Sequence, residues 1–233
     1  MRLIVRFERL EEIKYISQLD MLRTIHRALR RADIPVAYSE GFNPQPKVSF
    51  GFALSVGLVS YGEYMDIQLK TDIDEELFKE KMNNALPCGM RISDAAVAGE
   101  SAPKIGKMID CAEYETVFFT KDTGLLLEKI NDFFGRDEIT IERHSKKGTS
   151  FVDVKPWIYS FGAEIAGENE VKLTTVQSLS EQMSVRIDDV ANAVMSFAKG
   201  AAEKIHSVKK DMLLRKDGGF VTPVEYVRLT AEK

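Results

Sequence analysis

Cysteine is scarce in this sequence, and the common catalytic signatures are missing. Cys88 and Cys111 are the only two thiols in 233 residues, and they sit in unrelated contexts. Two separated thiols cannot furnish a self-contained iron–sulfur cluster or a structural zinc site, and so few fit a reducing cytoplasm. The three histidines, His26, His144 and His206, are far apart and form no Cys–His set with ligand spacing. No G-x-x-x-x-G-K-S/T or G-x-G-x-x-G loop is present to cradle phosphates, and no H-E-x-x-H or G-x-S-x-G marks a metalloprotease or hydrolase. No metal and no cofactor is expected. No apolar run approaches the roughly 18 residues of a membrane span, and the opening "MRLIVRFERLEE" has no signal-peptide core. A cytoplasmic protein without a membrane partner is the expectation. The net charge of −4 carries no signature of bulk nucleic-acid binding.

What is present is an ordinary globular composition, 44% hydrophobic and 29% charged, long enough for two domains. Charge is unevenly spread. Residues 1–50 hold nine Lys/Arg against six Asp/Glu, whereas residues 51–110 hold six against ten. Basic residues concentrate at 23–31, 143–155 and 204–216. A mildly acidic chain with such patches can bind a polyanion, but only locally.

Periodicity divides the chain into two similar rounds. Strand Arg2–Arg9 alternates, and Ser17 caps a helix through "QLDMLRTIHRALRRA", with Asp20 in a capping-box-like position. Strands follow at Ile34–Ser39 and Glu63–Lys70, then a helix at Asp74–Leu86 and a strand at Met90–Ala98. The order is β-α-β-β-α-β. The Gly- and Pro-broken run 99–107 reads as a boundary. The second round has strands at Ala112–Thr120, Glu138–His144, Glu170–Gln177 and Lys204–Leu214, with helices at Asp122–Phe134 and Arg186–Lys199. The expected fold is α+β, two tandem ferredoxin-like domains at 1–100 and 108–233, the second carrying a C-terminal tail that packs back.

Three places could carry function. On a wheel of the first helix, Leu19, Leu22, Ile25 and Leu29 form the expected buried stripe, and Arg23, Arg27, Arg30 and Arg31 form a cationic stripe beside it. A solvated face is one reading of those arginines. A phosphate-reading stripe is the other, because guanidinium forks match phosphate oxygens. His26 lies at the border of the two stripes, either simply packed or a candidate acid or base. The second place is "SEGFNPQPKVSFGF" (Ser39–Phe52). Pro44 and Pro46 each fix φ and remove a donor, so this is a shaped loop presenting Phe42, Asn43, Gln45 and Lys47. The third is Glu142–Trp157, where Arg143, Lys146 and Lys147 flank a turn and Trp157 follows. Basic and aromatic groups together suit single-stranded nucleic acid; the plainer reading is a charged hairpin tip with a core tryptophan.

The long run Tyr15–Leu69, with "YISQLD", "RALRRADIPVAYSEGFNPQPKVSF" and "GEYMDIQL", closely resembles the radical-SAM-linked (radical-SAM-associated) proteins, a family long classed as of unknown function. Weaker resemblance continues through "FVDVKPWI" and "LLRKDGGFVTPVE". The resemblance implies a partner: a radical SAM enzyme of the cobalamin-binding type, with genes often near those of ribosomal proteins and ribonucleases. This chain has no three-cysteine cluster motif, so the resemblance implies that the chemistry belongs to that partner. Recognition of RNA or a ribosome-related substrate would then fall to this chain, as a non-catalytic accessory protein. Two alternatives stand beside it. One is a metal-independent endoribonuclease using His26, similar in fold to the repeat-associated RNA-processing nucleases of CRISPR systems. The other is a docking module that contacts the enzyme through Phe42, Pro44 and Pro46. If recognition is right, Arg23, Arg27 and Arg30 should share one surface with Asn43, Gln45 and Lys47.

Overall fold

The computed structural model describes residues 1–99, 101–145, 148–180 and 183–231. It is a mixed α+β protein made of two compact units. Unit 1 comprises Met1–Asp110 with Asp211–Lys233, and unit 2 comprises Cys111–Lys210.

Unit 1 begins with β1 (Arg2–Arg9), α1 (Gln18–Arg31), β2 (Val48–Phe50), β3 (Val59–Gln68), α2 (Glu75–Ala85) and β4 (Met90–Val97). β1 lies between β4 and β3, antiparallel to both, and the short β2 pairs antiparallel with the end of β3. Both helices start at side-chain caps: Ser17 Oγ accepts from Asp20 N at 3.2 Å, and Asp74 Oδ1 accepts from Leu77 N at 3.0 Å. The sheet has two distinct faces because strand side chains alternate. Leu3, Val5, Phe7, Met65 and Ile67 meet Met21, Ile25, Leu29, Phe78 and Met82 in one apolar core beneath the helices. Arg2, Ile4, Arg6, Tyr64, Asp66 and Gln68 take the alternate positions and the opposite face.

That opposite face is covered in part by α3 (Ile105–Met108) and α6 (Pro223–Ala231). Arg228 on α6 donates to both carboxylate oxygens of Asp94 at 3.0 and 2.7 Å and to the Ala95 carbonyl at 3.0 Å. Val224 and Val227 bury beneath it. The sequence-based division into 1–100 and 108–233 therefore differs from the compact units at residues 108–110 and 211–233, which group with the N-terminal unit.

Unit 2 runs through β5 (Cys111–Phe119), α4 (Thr123–Gly135), β6 (Thr140–Ser145), β7 (Gly148–Asp153), β8 (Ile158–Gly167), β9 (Glu170–Ser178), α5 (Ile187–Phe197) and β10 (Glu203–Lys216). β10 starts here and ends in unit 1, where β11 (Gly219–Val221) folds back on it. The strand order is β10-β5-β9-β8, and β6 and β7 form a separate two-stranded hairpin. Phe118, Val171 and Leu173 of the sheet pack against Leu126, Ile130, Val190 and Val194 of α4 and α5.

Three expectations are corrected. The segment Ile34–Ser39 makes isolated bridges at Val36 and Tyr38 rather than a strand, because Pro35 removes one donor and the ladder passes to β2. The expected strand Glu138–His144 belongs to the hairpin, and the sheet strand in its place is β8. On α1 the buried stripe is Met21, Ile25, Ala28 and Leu29, an i, i+4, i+7, i+8 set. Leu19 lies about 120° from Ile25 at 100° per residue and is 56% exposed.

Candidate functional site

The Pro-rich segment is a closed loop. Tyr38 bridges Pro46, Ser39 N donates to the Gln45 carbonyl at 2.8 Å, and Gln45 N donates to Ser39 Oγ at 3.0 Å. Gln45 Nε2 adds a bond to Asn43 Oδ1 at 3.2 Å. Gly41 turns the chain with φ +118°, which side-chain-bearing residues avoid. Phe42 stands at the tip, fully exposed. At the base, Lys47 N donates to the Ala37 carbonyl and Gln68 N to the Lys47 carbonyl, at 2.8 and 3.0 Å. The loop is thereby stitched to the end of β3.

The arginines of α1 all face solvent, but their engagement differs. Arg23 pairs with Asp20 on its own helix at 3.0 Å. Arg31 donates to the Ala85 carbonyl at the end of α2. Among the described residues Arg27 and Arg30 have no hydrogen bond or ion pair, although Arg27 adds to the field that holds the Asp20 carboxyl down, behind Ser17 and Arg23. His26 is half-buried, with Nε2 occluded and without a hydrogen-bond partner among the described residues. Burial lowers its pKa below the ordinary histidine value.

Arg143 is held in place: its guanidinium lies 5.0 Å from the centre of the Trp157 ring and donates to the Ser184 carbonyl. Phe151, on the facing strand of the hairpin, is exposed. Lys146 and Lys147 lie outside the described residues.

A groove of about 930 Å³ opens beside the loop base, where β1 begins and β3 and β4 end. Its floor contains Arg2, Asp66, Gln68 and Ser49, all of the face opposite the helices. Arg2 grips Asp66 through Nε at 2.9 Å and Nη2 at 2.6 Å, and donates to the Ala102 and Pro103 carbonyls at 2.7 and 2.6 Å. Lys47 enters from the loop side and Lys104 from the linking segment. The structure thus separates what the sequence grouped: Lys47 lines a groove on one face of the sheet, and Arg23, Arg27 and Arg30 ride on a helix over the other. Arg2, Ser49, Gln68 and Lys104 escape sequence reading because nothing local marks them; only strand pairing puts them together.

Among the described residues no cluster of three or more His, Cys, Asp or Glu could hold a metal ion. No curated protein matches the sequence. A solved structure of an H/ACA RNP bound to a substrate RNA containing 2'-deoxyuridine includes a chain 9% identical to this one, with a TM-score of 0.49. The match covers 99% of this chain but 55% of that one, so this chain spans about half its length. An unknown protein from Galdieria sulphuraria is 12% identical over 89% of this chain and 97% of its own, with a TM-score of 0.26. A family model matches residues 2–187, and the chain belongs to that family, described as uncharacterized protein conserved in bacteria (DUF2344).

Proposed function

We propose that this protein is a non-catalytic recognition subunit that presents RNA or a ribosome-related substrate to a cytoplasmic radical SAM enzyme. The observation that carries the reading is Phe42, a fully exposed aromatic at the tip of a loop closed by its own hydrogen bonds. A fully exposed ring buries no apolar surface among the described residues, whereas a preorganised ring loses little entropy on meeting a partner. Nucleic-acid bases stack on such rings irrespective of sequence. Arg27 and Arg30, exposed and without an ion pair among the described residues, supply guanidinium groups for phosphates on the same unit. The radical SAM partner rests on the resemblance of Tyr15–Leu69 and on the lack of any three-cysteine motif in this chain.

We also infer that each unit is ferredoxin-like. Supporting this, β1, β2, β3 and β4 with α1 and α2 follow the order β-α-β-β-α-β in a 4-1-3-2 arrangement. β5, β8, β9 and β10 with α4 and α5 repeat it, the β6-β7 hairpin being an insertion.

The test is titration of the full chain with a labelled single-stranded RNA at about 50 mM salt, where phosphate contacts are strongest. Binding should fall linearly with log salt, and Phe42→Ala should weaken it about tenfold or more without changing stability. No binding at that salt removes the RNA half of the reading. Failure of any radical SAM enzyme to co-purify with the chain from its native cells removes the other half.

A further inference from the structure

We propose that the groove beside the loop base is a nucleotide-phosphate site, with Lys47 and Lys104 as its anion ligands. Only for its RNA arm does this rest on the recognition reading; the groove makes its own case.

Asp66 is the one carboxylate among the described lining residues, and Arg2 already holds it with a two-nitrogen grip. That pair is also structural, since the remaining Arg2 hydrogens hold the Ala102 and Pro103 carbonyls. The wall that carries Lys104 is therefore anchored before any ligand arrives. What is left uncompensated is two exposed ammonium groups, Lys47 and Lys104, neither with an ion pair among the described residues. A groove whose described lining is net positive and already shaped attracts an anion without reorganising.

Its donor chemistry points to phosphate. Ser49 and Gln68 add a hydroxyl and an amide with no side-chain hydrogen bonds of their own among the described residues. Two ammoniums, a hydroxyl and an amide offer donors from several directions. That suits the oxygens of a phosphate better than the single plane of a carboxylate, and lysine is a common point-charge phosphate ligand. The apolar part of the lining, Val48 and Leu69 among it, gives a base or sugar something to lie against. At about 930 Å³ the groove is far larger than an inorganic ion needs and falls within the range of small-molecule sites. A phosphodiester of an RNA strand and a free nucleotide share this chemistry.

The full chain is titrated separately with ADP and with a uridylate decamer, as wild type, Lys47→Glu, Lys104→Glu and Arg27→Glu. Thermal melts check that each variant is folded, which these exposed positions permit. Expected is binding of at least one probe, weakened about tenfold or more by each groove substitution, with ADP binding untouched by Arg27→Glu. For RNA, each lost lysine should also lower the salt slope by about 1. Wild-type affinity for both probes in Lys47→Glu and Lys104→Glu overturns the site, even where RNA binding through Phe42 and α1 survives. Binding of neither probe also overturns it. ADP held through the lysines by a protein that ignores RNA keeps the groove and removes the recognition reading.

Discussion

The Tyr64 hydroxyl donates to Asp211 at 2.7 Å, across 147 positions of sequence, and Arg6 meets the other oxygen of the same carboxylate at 2.8 Å. This buried contact fastens the C-terminal segment to the N-terminal sheet. Burial pushes the Asp211 carboxyl above its ordinary 3.8, outweighing the pull of Arg6. The native state thus binds the proton more tightly than the unfolded chain. Stability linked to Asp211 is highest below pH 3.8 and falls as pH rises through the raised native value. In denaturant titrations across this range, the free-energy difference between wild type and Asp211→Asn should decline with rising pH. A difference that grows with pH would show that Arg6 outweighs burial.

Gly62 on β3 is required by the same contact. A Cβ there would sit 2.4 Å from Asp211 Oδ1 and 2.6 Å from its Cα, so backbone must shift. Gly62→Ala should cost about 1–3 kcal/mol or more. Gly106→Ala, which meets nothing within 4 Å, should stay within about 0.5 kcal/mol of wild type. Equal stabilities from chemical denaturation would mean the two strands do not approach this closely.

Arg2 and Asp66 hold the groove wall. Their side chains are 17% and 9% exposed. Asp66→Ala should therefore cost about 2–3 kcal/mol, below the 3–5 typical of fully buried pairs. A double-mutant cycle with Arg2→Ala should show strong coupling. Near-additive losses would mean that Arg2 acts through the Ala102 and Pro103 carbonyls alone.

His26 should titrate below 6.5, because burial disfavours its charged form. The stability it contributes is complete above pH 6.5 and is lost as pH falls through the lowered native value. Imidazole resonances followed by NMR between pH 4 and 8 read this directly. Structured RNA incubated with the protein in EDTA should remain intact. An imidazole titrating above 6.5, together with cleavage abolished by His26→Ala, would make the nuclease alternative the better one.

Local chemistry by itself determined most of the elements. Arg2–Arg9 alternates and Ser17 caps α1, so β1 and α1 occupy the positions their residues announce. Asp74 caps α2 in the same way. These signals act within a few residues, where periodicity and capping operate. Other features needed the third dimension. Leu19 looks like core on a wheel, yet which flank of α1 is buried depends on how the helix meets the sheet. The strand at Glu138–His144 pairs with its sequence neighbour β7 instead of the sheet, a competition between partners that neither segment encodes alone. Phe42 and Lys47 are legible as members of a stiff loop because proline acts locally. That Lys47 keeps company with Arg2, Asp66 and Lys104 was decided only by strand register, which brings residues 1–2, 47–49, 66, 68–69, 98–99 and 104 to one end of a sheet.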